Sequence, residues 1–315
     1  MDFSLSEERK MLQETVARFF ENNYKDINKR SKYLEMNDGF SRDFWKESAN
    51  LGVISGLISP SFGGLGGTGE DISIIFELIG KSLCIEPFLS SGLLSSTVLS
   101  SIENPKTELI NQFVDGEIND KKGIGLFLVD NSQIKNRSYN TIDGYRAAEL
   151  NFENIEAELL CKNDLALECI IKTNSAGALA LSAEAIGIMQ VCFELTLDYL
   201  KTRKQFGKSI GAFQSIQHRM VDMMLEIEQV RSAVMLASST FGNNSSTRDK
   251  NVSAAKNLVG RVGKLIAEES IQLHGGIAMT WEYSVAHYAK RLIMIDHLMG
   301  DADYHRDRFK LLSLN

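Results

Sequence analysis

Arg203, Gln205 and Phe206 stand together in the stretch TRKQFGKSIGAFQSIQ, Thr202 to Gln217. An arginine presents a planar fork of donors that fits a phosphate or pyrophosphate in two-pronged fashion. Gln205 and Gln214 add neutral donors and acceptors, and Phe206 adds a flat apolar face. The ordinary alternative is a turn after a basic helix end, where Arg203 and Lys204 suit the negative pole of the preceding helix. Gly207 and Gly211 then break the run, as glycine does at helix exits. A second candidate is IQLHGGIAMTWEY, Ile271 to Tyr283. Gly275 and Gly276 would let the backbone approach a ligand closely. The ordinary reading of His274-Gly275-Gly276 is a helix C-cap.

Metal and disulfide chemistry find no support. Cys84, Cys161, Cys169 and Cys192 are scattered with no C-x-x-C pairing, and the five histidines lack ligand spacing. Buried free thiols in a reducing cytoplasm are expected. The net charge of −7 carries no long block of one sign, which argues against a nucleic-acid surface. No stretch approaches the roughly 20 apolar residues that span a bilayer. MDFSLSEERK is acidic and polar where a signal peptide would be basic and then apolar.

The elements that position these residues are mostly helical. Ser4 to Asn22 is predicted as a helix capped by Ser4 or Ser6, with Leu5, Met11, Leu12, Val16 and Phe19–Phe20 as its apolar stripe. A polar stretch runs to Gly39, then Phe44 to Leu51 is helical. Asp71 is expected to cap a helix to Leu83. Helix resumes from Phe88 to Ile102, after Pro87, and from Lys106 to Val114. GIGLFLVD, RSYNTI and RAAELNFENI are expected as about three strands, too few to close a barrel. Ala176 to Lys201 is alanine-rich helix, with Gly187 a close-approach point. Phe213, Ile216, Met220, Met223, Ile227, Val230 and Val234 make one seam, and Val252, Ala255, Val259, Val262 and Ile266 the next. Ser246 with Asp249 resembles a capping box. Tyr283 to Ile295 and Ala302 to Leu312 follow as helices. The expectation is a mainly α chain of 315 residues: an N-terminal helical domain (1–118), a short β segment (119–163) and a C-terminal antiparallel four-helix bundle (164–315).

R-x-Q-F-G-x-x-I-x-x-F-Q-x-x-Q resembles the signature of the acyl-CoA dehydrogenase flavoproteins. IQLHGGIAMTWEY, DFSLSEERKMLQETVARFF and LGVISGLISPSFGGLGG resemble the same family, in its order, over nearly the whole chain. The resemblance implies FAD lying between subunits of a dimer or tetramer. Arg203, Gln205 and Phe206 would reach its pyrophosphate and adenine half. Gln272, Gly275 and Gly276 would form the loop at the adenosine end. The implied reaction removes two hydrogens from the α and β carbons of an acyl-CoA thioester. It needs a carboxylate base whose pKa is raised in a dry site.

Two departures follow. Where the family carries its base, Met299 stands in HLMGDADYH, and the alternative position on the first bundle helix is Gly177. Asp301 is the nearest carboxylate, either a displaced base or the cap of the following helix. Glu184 is expected to be a buried partner of an arginine. Neither E-P-x-A-G-S nor W-I-T, the strands that hold flavin ring and thioester, occurs, so the middle domain is cut short. LMGDADYHRDRF and NTIDGYRAAEL resemble the small subunits of heteromeric members acting on bulky or dicarboxylic acyl-CoA substrates, including steroid side chains. The expected partner is therefore a homologous chain that bears the Glu, in a heterotetramer, with a homo-oligomer or a non-catalytic scaffold as alternatives.

Overall fold

The computed structural model describes residues 5–102, 125–153 and 155–314, without the side chains of Glu8 and Asn163. The expected helix at Lys106 to Val114 and the boundary after residue 118 lie outside them. Packing groups the described residues into two compact units, neither contiguous in sequence. The first takes those within 1–33, 68–84 and 178–315, and the second those within 34–67 and 85–177.

In the first unit, α1 (Glu7–Tyr24) starts at Ser6, whose hydroxyl accepts from the Arg9 N–H. The stretch expected to be irregular forms α2 (Ile27–Leu34), almost all of it in this unit. It presents a buried arginine where an apolar stripe would be read, because Arg30 Nε donates to the Leu83 carbonyl at 3.0 Å. Helix α4 (Gly69–Ser82) begins before Asp71. Thr68 is its cap and Asp71 closes the reciprocal capping box, accepting from the Thr68 N–H at 3.1 Å.

Helices α6 (Asn163–Thr202), α7 (Gln214–Ser239), α8 (Ser245–His274), α9 (Val285–His297) and α10 (Ala302–Leu314) form the antiparallel bundle, and α8 packs against α7, α9 and α10. The seam positions from Met220 to Val234 and from Val252 to Ile266 are buried as their spacing predicts; Phe213 and Ile216 are half-buried. Asn244, not Ser246, caps α8 by accepting from the Thr247 N–H at 2.9 Å. Asp249 is taken instead by two guanidiniums, Arg248 at 2.8 Å and Arg308 at 3.1 Å. Contrary to the expectation that no stretch is apolar enough, Asp164–Thr202 passes the length and composition test for a membrane span. Its apolar window is 83% buried within the protein, so core packing accounts for the composition.

The second unit holds α3 (Arg42–Asn50), a π-helix (Phe88–Leu94), α5 (Ser95–Ser101) and two β-ribbons. Strand β1 (Gly125–Val129) pairs antiparallel with β4 (Ala157–Lys162), and β2 (Lys135–Asn140) with β3 (Arg146–Asn151). Among the described residues of this unit, four strands in two ribbons stand where about three were expected. β4 carries no clean alternation because the register slips between Leu126 and Phe127. Val98, Leu99, Leu126, Cys161, Ala166 and Cys169 form this unit's core.

The first unit is organised by one helix crossing. A Cβ on Gly80 of α4 would sit 2.0 Å from the Glu184 carbonyl oxygen, and one on Gly187 of α6 would sit 2.1 Å from that of Glu77. Each glycine therefore admits the other helix's backbone. The same two glutamates carry the surrounding charge. Glu184 pairs bidentately with buried Arg291 of α9 at 2.6 and 3.0 Å, as expected for it. Glu77 bridges to Lys81 at 2.9 Å and Arg231 of α7 at 3.2 Å. Gly187→Ala is expected to cost about 3 kcal/mol, since neither carbonyl can move without its helix. Gly242→Ala, whose Cβ would meet open space, should stay within about 0.5 kcal/mol. Denaturant melts of the two variants check the difference.

Candidate functional site

The residues Arg203 to Ser209 form a tight hairpin, β5 (Lys204–Gln205) with β6 (Lys208–Ser209), rather than a plain helix–loop–helix junction. Helix α6 ends at Thr202, so Lys204 belongs to the hairpin. Phe206 (φ 54°) and Gly207 (φ 78°) occupy the two turn positions, both left-handed. Glycine adopts that conformation freely; phenylalanine does so against steric resistance. Phe206 is nonetheless 90% exposed, its edge set against Phe213 with ring centroids 6.2 Å apart. Strain of this kind concentrates at ligand clamps. Arg203 is exposed, and its guanidinium has no hydrogen-bond or ion-pair partner among the described residues; its N–H and carbonyl close the backbone turn. Gln205 is exposed beside it.

The second loop leaves α8 at His274. Gly275 has φ 68° and ψ −150°, a combination reserved for glycine. A Cβ on Gly275 or Gly276 would meet nothing within 4 Å, and Gln272 is exposed. His274 does more than end a helix. Its ring is buried and stacks on Tyr199 of α6 at 4.6 Å, with Tyr283 edge-on at 5.1 Å. Its Nδ1 lies 2.8 Å from the Ser270 carbonyl, and burial holds its pKa below the ordinary imidazole value. Tyr199 lies four residues before Arg203, so this aromatic stack brings the hairpin and the glycine loop to one end of the bundle. Nothing in the motif spacing marks Tyr199 for that role; only its helical phase relative to Arg203 hints at it.

Asp301 sits elsewhere. It caps α10, its carboxylate accepting from the Tyr304 N–H at 2.8 Å, and it is exposed. The corner before it passes through Met299 (φ 56°) and Gly300 (φ 92°). Lys256 of α8, fully buried, donates to the carbonyls of Ile295, Asp296 and Gly300 at 2.9–3.1 Å. Eighteen residues of α8 separate Lys256 from His274, or about 27 Å along the axis. The corner before Asp301 and the cradle residues are therefore held at points about 27 Å apart along α8. Burial lowers the Lys256 pKa to about 8, and His305, buried beside it, is lowered to about 4. His305 bonds the Met299 carbonyl at 2.8 Å. Gly177, the alternative base position, lies on α6.

All four cysteines are free and buried; burial raises Cys169 to about 11 and Cys192 to about 12, so neither is a thiolate nucleophile. Among the described residues, no group of three or more His, Cys, Asp or Glu could hold a metal ion.

Residues 167–309 match the family described as acyl-CoA dehydrogenase, C-terminal domain, and residues 6–116 match acyl-CoA dehydrogenase, N-terminal domain. The chain belongs to the acyl-CoA dehydrogenase family. Acyl-CoA dehydrogenase IpdE2 of Mycolicibacterium smegmatis is 29% identical over 311 residues, covering 94% of this chain and 96% of that protein. Probable acyl-CoA dehydrogenase YngJ of Bacillus subtilis is 24% identical over 375 aligned positions, covering 97% of this chain and 98% of that one. Since this chain has 315 residues, at least 60 of those positions fall on residues it lacks, consistent with the shortened middle. The ChsE4–ChsE5 complex from Mycobacterium tuberculosis superposes with a TM-score of 0.85 at 18% identity, covering 100% of this chain and 99% of that one.

FAD is the cofactor of the acyl-CoA dehydrogenase family, and the hairpin and loop have the chemistry to meet the phosphates and rings of a dinucleotide. They offer an unengaged guanidinium, an exposed aromatic face and backbone that nothing shields. The pinned corner has a pH signature. The folded pKa of His305, about 4, lies below the ordinary 6.5, so between those values the unfolded chain holds the extra proton. Stability from the neutral ring is complete above about pH 6.5 and is lost toward pH 4, by about 3 kcal/mol. His305→Gln should flatten unfolding free energy across that window.

Proposed function

We propose that this chain is a subunit of a heteromeric acyl-CoA dehydrogenase and is not a self-sufficient enzyme. It lends Arg203, Gln205, Phe206 and the Gln272–Gly276 loop to FAD at a boundary with a homologous chain. That partner carries the strands around the flavin ring and the catalytic glutamate. The chemistry supplied by bound FAD is acceptance of hydride from the β-carbon of an acyl-CoA thioester. This chain's own part is to hold the phosphates and the adenine, and to orient them. The observation that carries the reading is the exposed Arg203, without a side-chain partner among the described residues, on a strained hairpin beside the open glycine loop. The likeness to a chain of the ChsE4–ChsE5 complex supports a paired assembly, and the resemblance of LMGDADYHRDRF to the small subunits of heteromeric members supports a bulky acyl group. A cytoplasmic location agrees with the four unbridged cysteines.

A scaffold that binds no flavin is the competing reading, favoured by Asp301's engagement as a helix cap. Purifying the chain with a Glu-bearing homologue separates the two. One flavin per pair supports the enzyme subunit, and a colourless pair supports the scaffold. Arg203→Ala should weaken FAD binding to the pair by about ten- to a hundredfold, the worth of one or two charge-assisted hydrogen bonds. It should leave the melting temperature of the chain alone unchanged, because the side chain holds nothing in the fold. Arg203→Lys should restore only part, as an ammonium lacks the fork.

Asp301→Asn should keep turnover, since asparagine caps a helix as well as aspartate. Turnover abolished with flavin still bound would make Asp301 the base after all.

A further inference from the structure

The loop that leaves α8 carries three exposed apolar side chains, Ile277, Met279 and Trp281. The motifs that mark the cradle give none of them a role. The loop is closed at its base. His274, before the first glycine, and Tyr283, two residues after Trp281, meet with ring centroids 5.1 Å apart. Both pack against Tyr199, four residues before Arg203. Gly275 and Trp281 therefore leave the same aromatic stack, one at each side of the loop, beside the hairpin.

Trp281 is held in place from two directions. Its carbonyl accepts from Nε2 of buried His287 at 2.9 Å. Lys290 sets its ammonium 3.5 Å from the centre of the indole, a close cation–π contact. His287 and Lys290 are three residues apart on α9, so one face of that helix fixes both the backbone and the ring. Lys290 has no carboxylate partner among the described residues. Trp281 is nonetheless 69% exposed, so the rest of the indole stays open to solvent.

A large flat ring, fixed and facing outward, loses little freedom when a flat ligand meets it. A purine is such a ligand, since every base has a face that stacks on an aromatic side chain. With an ammonium over one face, the opposite face is poor in electrons and suits an electron-rich ring better than a second cation. We propose that Trp281 is the adenine platform of the cradle. The purine of the dinucleotide stacks on the indole face away from Lys290, and Lys290 is the positioning residue that holds the indole. This rests on the dinucleotide reading above and assigns to it a residue outside the two motifs.

The test uses the pair formed with the Glu-bearing homologue. Affinity is read from flavin fluorescence on titration with FAD, and from displacement of that FAD by ADP. Trp281→Leu should weaken FAD and ADP about five- to a hundredfold, the worth of stacking one base. Trp281→Phe should keep part of the affinity. Met279→Ser should stay within about twofold, because Met279, although 77% exposed on the same loop, has no ring to stack. If circular dichroism shows that Trp281→Leu does not fold, Lys290→Gln decides, with a loss of about two- to fivefold expected from the cation that holds the ring. Unchanged FAD and ADP affinity in the deciding variant overturns the proposal and leaves the subunit reading standing. An equal loss in Met279→Ser, or sedimentation showing that Trp281→Leu separates the pair, makes the loop a protein-docking surface and also overturns it. A wild-type pair that binds no flavin removes both readings.

Discussion

Two glycines crossing two glutamate carbonyls hold the first unit together. At the α4–α6 crossing the helices approach until each backbone fills the place of the other's missing side chain. That approach fixes the two glutamates, and each then serves a further helix: Glu184 clamps Arg291 of α9, and Glu77 reaches Arg231 of α7. Tyr288 of α9 adds a hydrogen bond to the Lys81 carbonyl at 2.9 Å. Four helices therefore depend on one contact that tolerates no methyl group. A buried ion pair such as Glu184–Arg291 is weak as a source of net stability, because desolvation offsets much of the attraction. Its effect here is to specify which face of α9 meets α6.

Helix α8 separates two kinds of end. At its C-terminus, a stack of Tyr199, His274 and Tyr283 gathers the exposed hairpin and the open loop. Toward its N-terminus, Lys256 and His305 hold the corner at Met299–Asp301 with hydrogen bonds to its carbonyls. The first end leaves donors and backbone open to a ligand. The second binds its corner's carbonyls to the protein itself. In an acyl-CoA dehydrogenase this asymmetry makes sense if the corner no longer has chemistry to do and the cradle still has a nucleotide to hold.

Several features were legible in the residues because local rules govern them. The seams of α7 and α8 follow from three-and-four spacing, and the pairing of Glu184 with an arginine follows from a carboxylate placed on an otherwise apolar helix. Others were not. Helix α2 hides its buried face behind an arginine. Strand β4 is obscured by a register slip. The cap of α8 fell to Asn244 because Asp249 is held by arginines, one of them 59 residues away in α10. The failures at α2 and at the α8 cap share an origin, a long-range partner that claims a side chain which short-range rules assign locally; at β4 the pairing of the backbone itself breaks the local period.

The sequence alone determined the family, the helical bundle and the shortened middle. Those depend on residue type and order, which composition and spacing preserve. Only the tertiary structure decided that Phe206 is strained outward, that the Arg203 guanidinium has no partner among the described residues, that Asp301 caps a helix, and that the Asp301 corner is held well apart along α8 from the hairpin and glycine loop. Those are matters of distance between segments far apart in the chain. Packing sets such distances, and no local pattern encodes them.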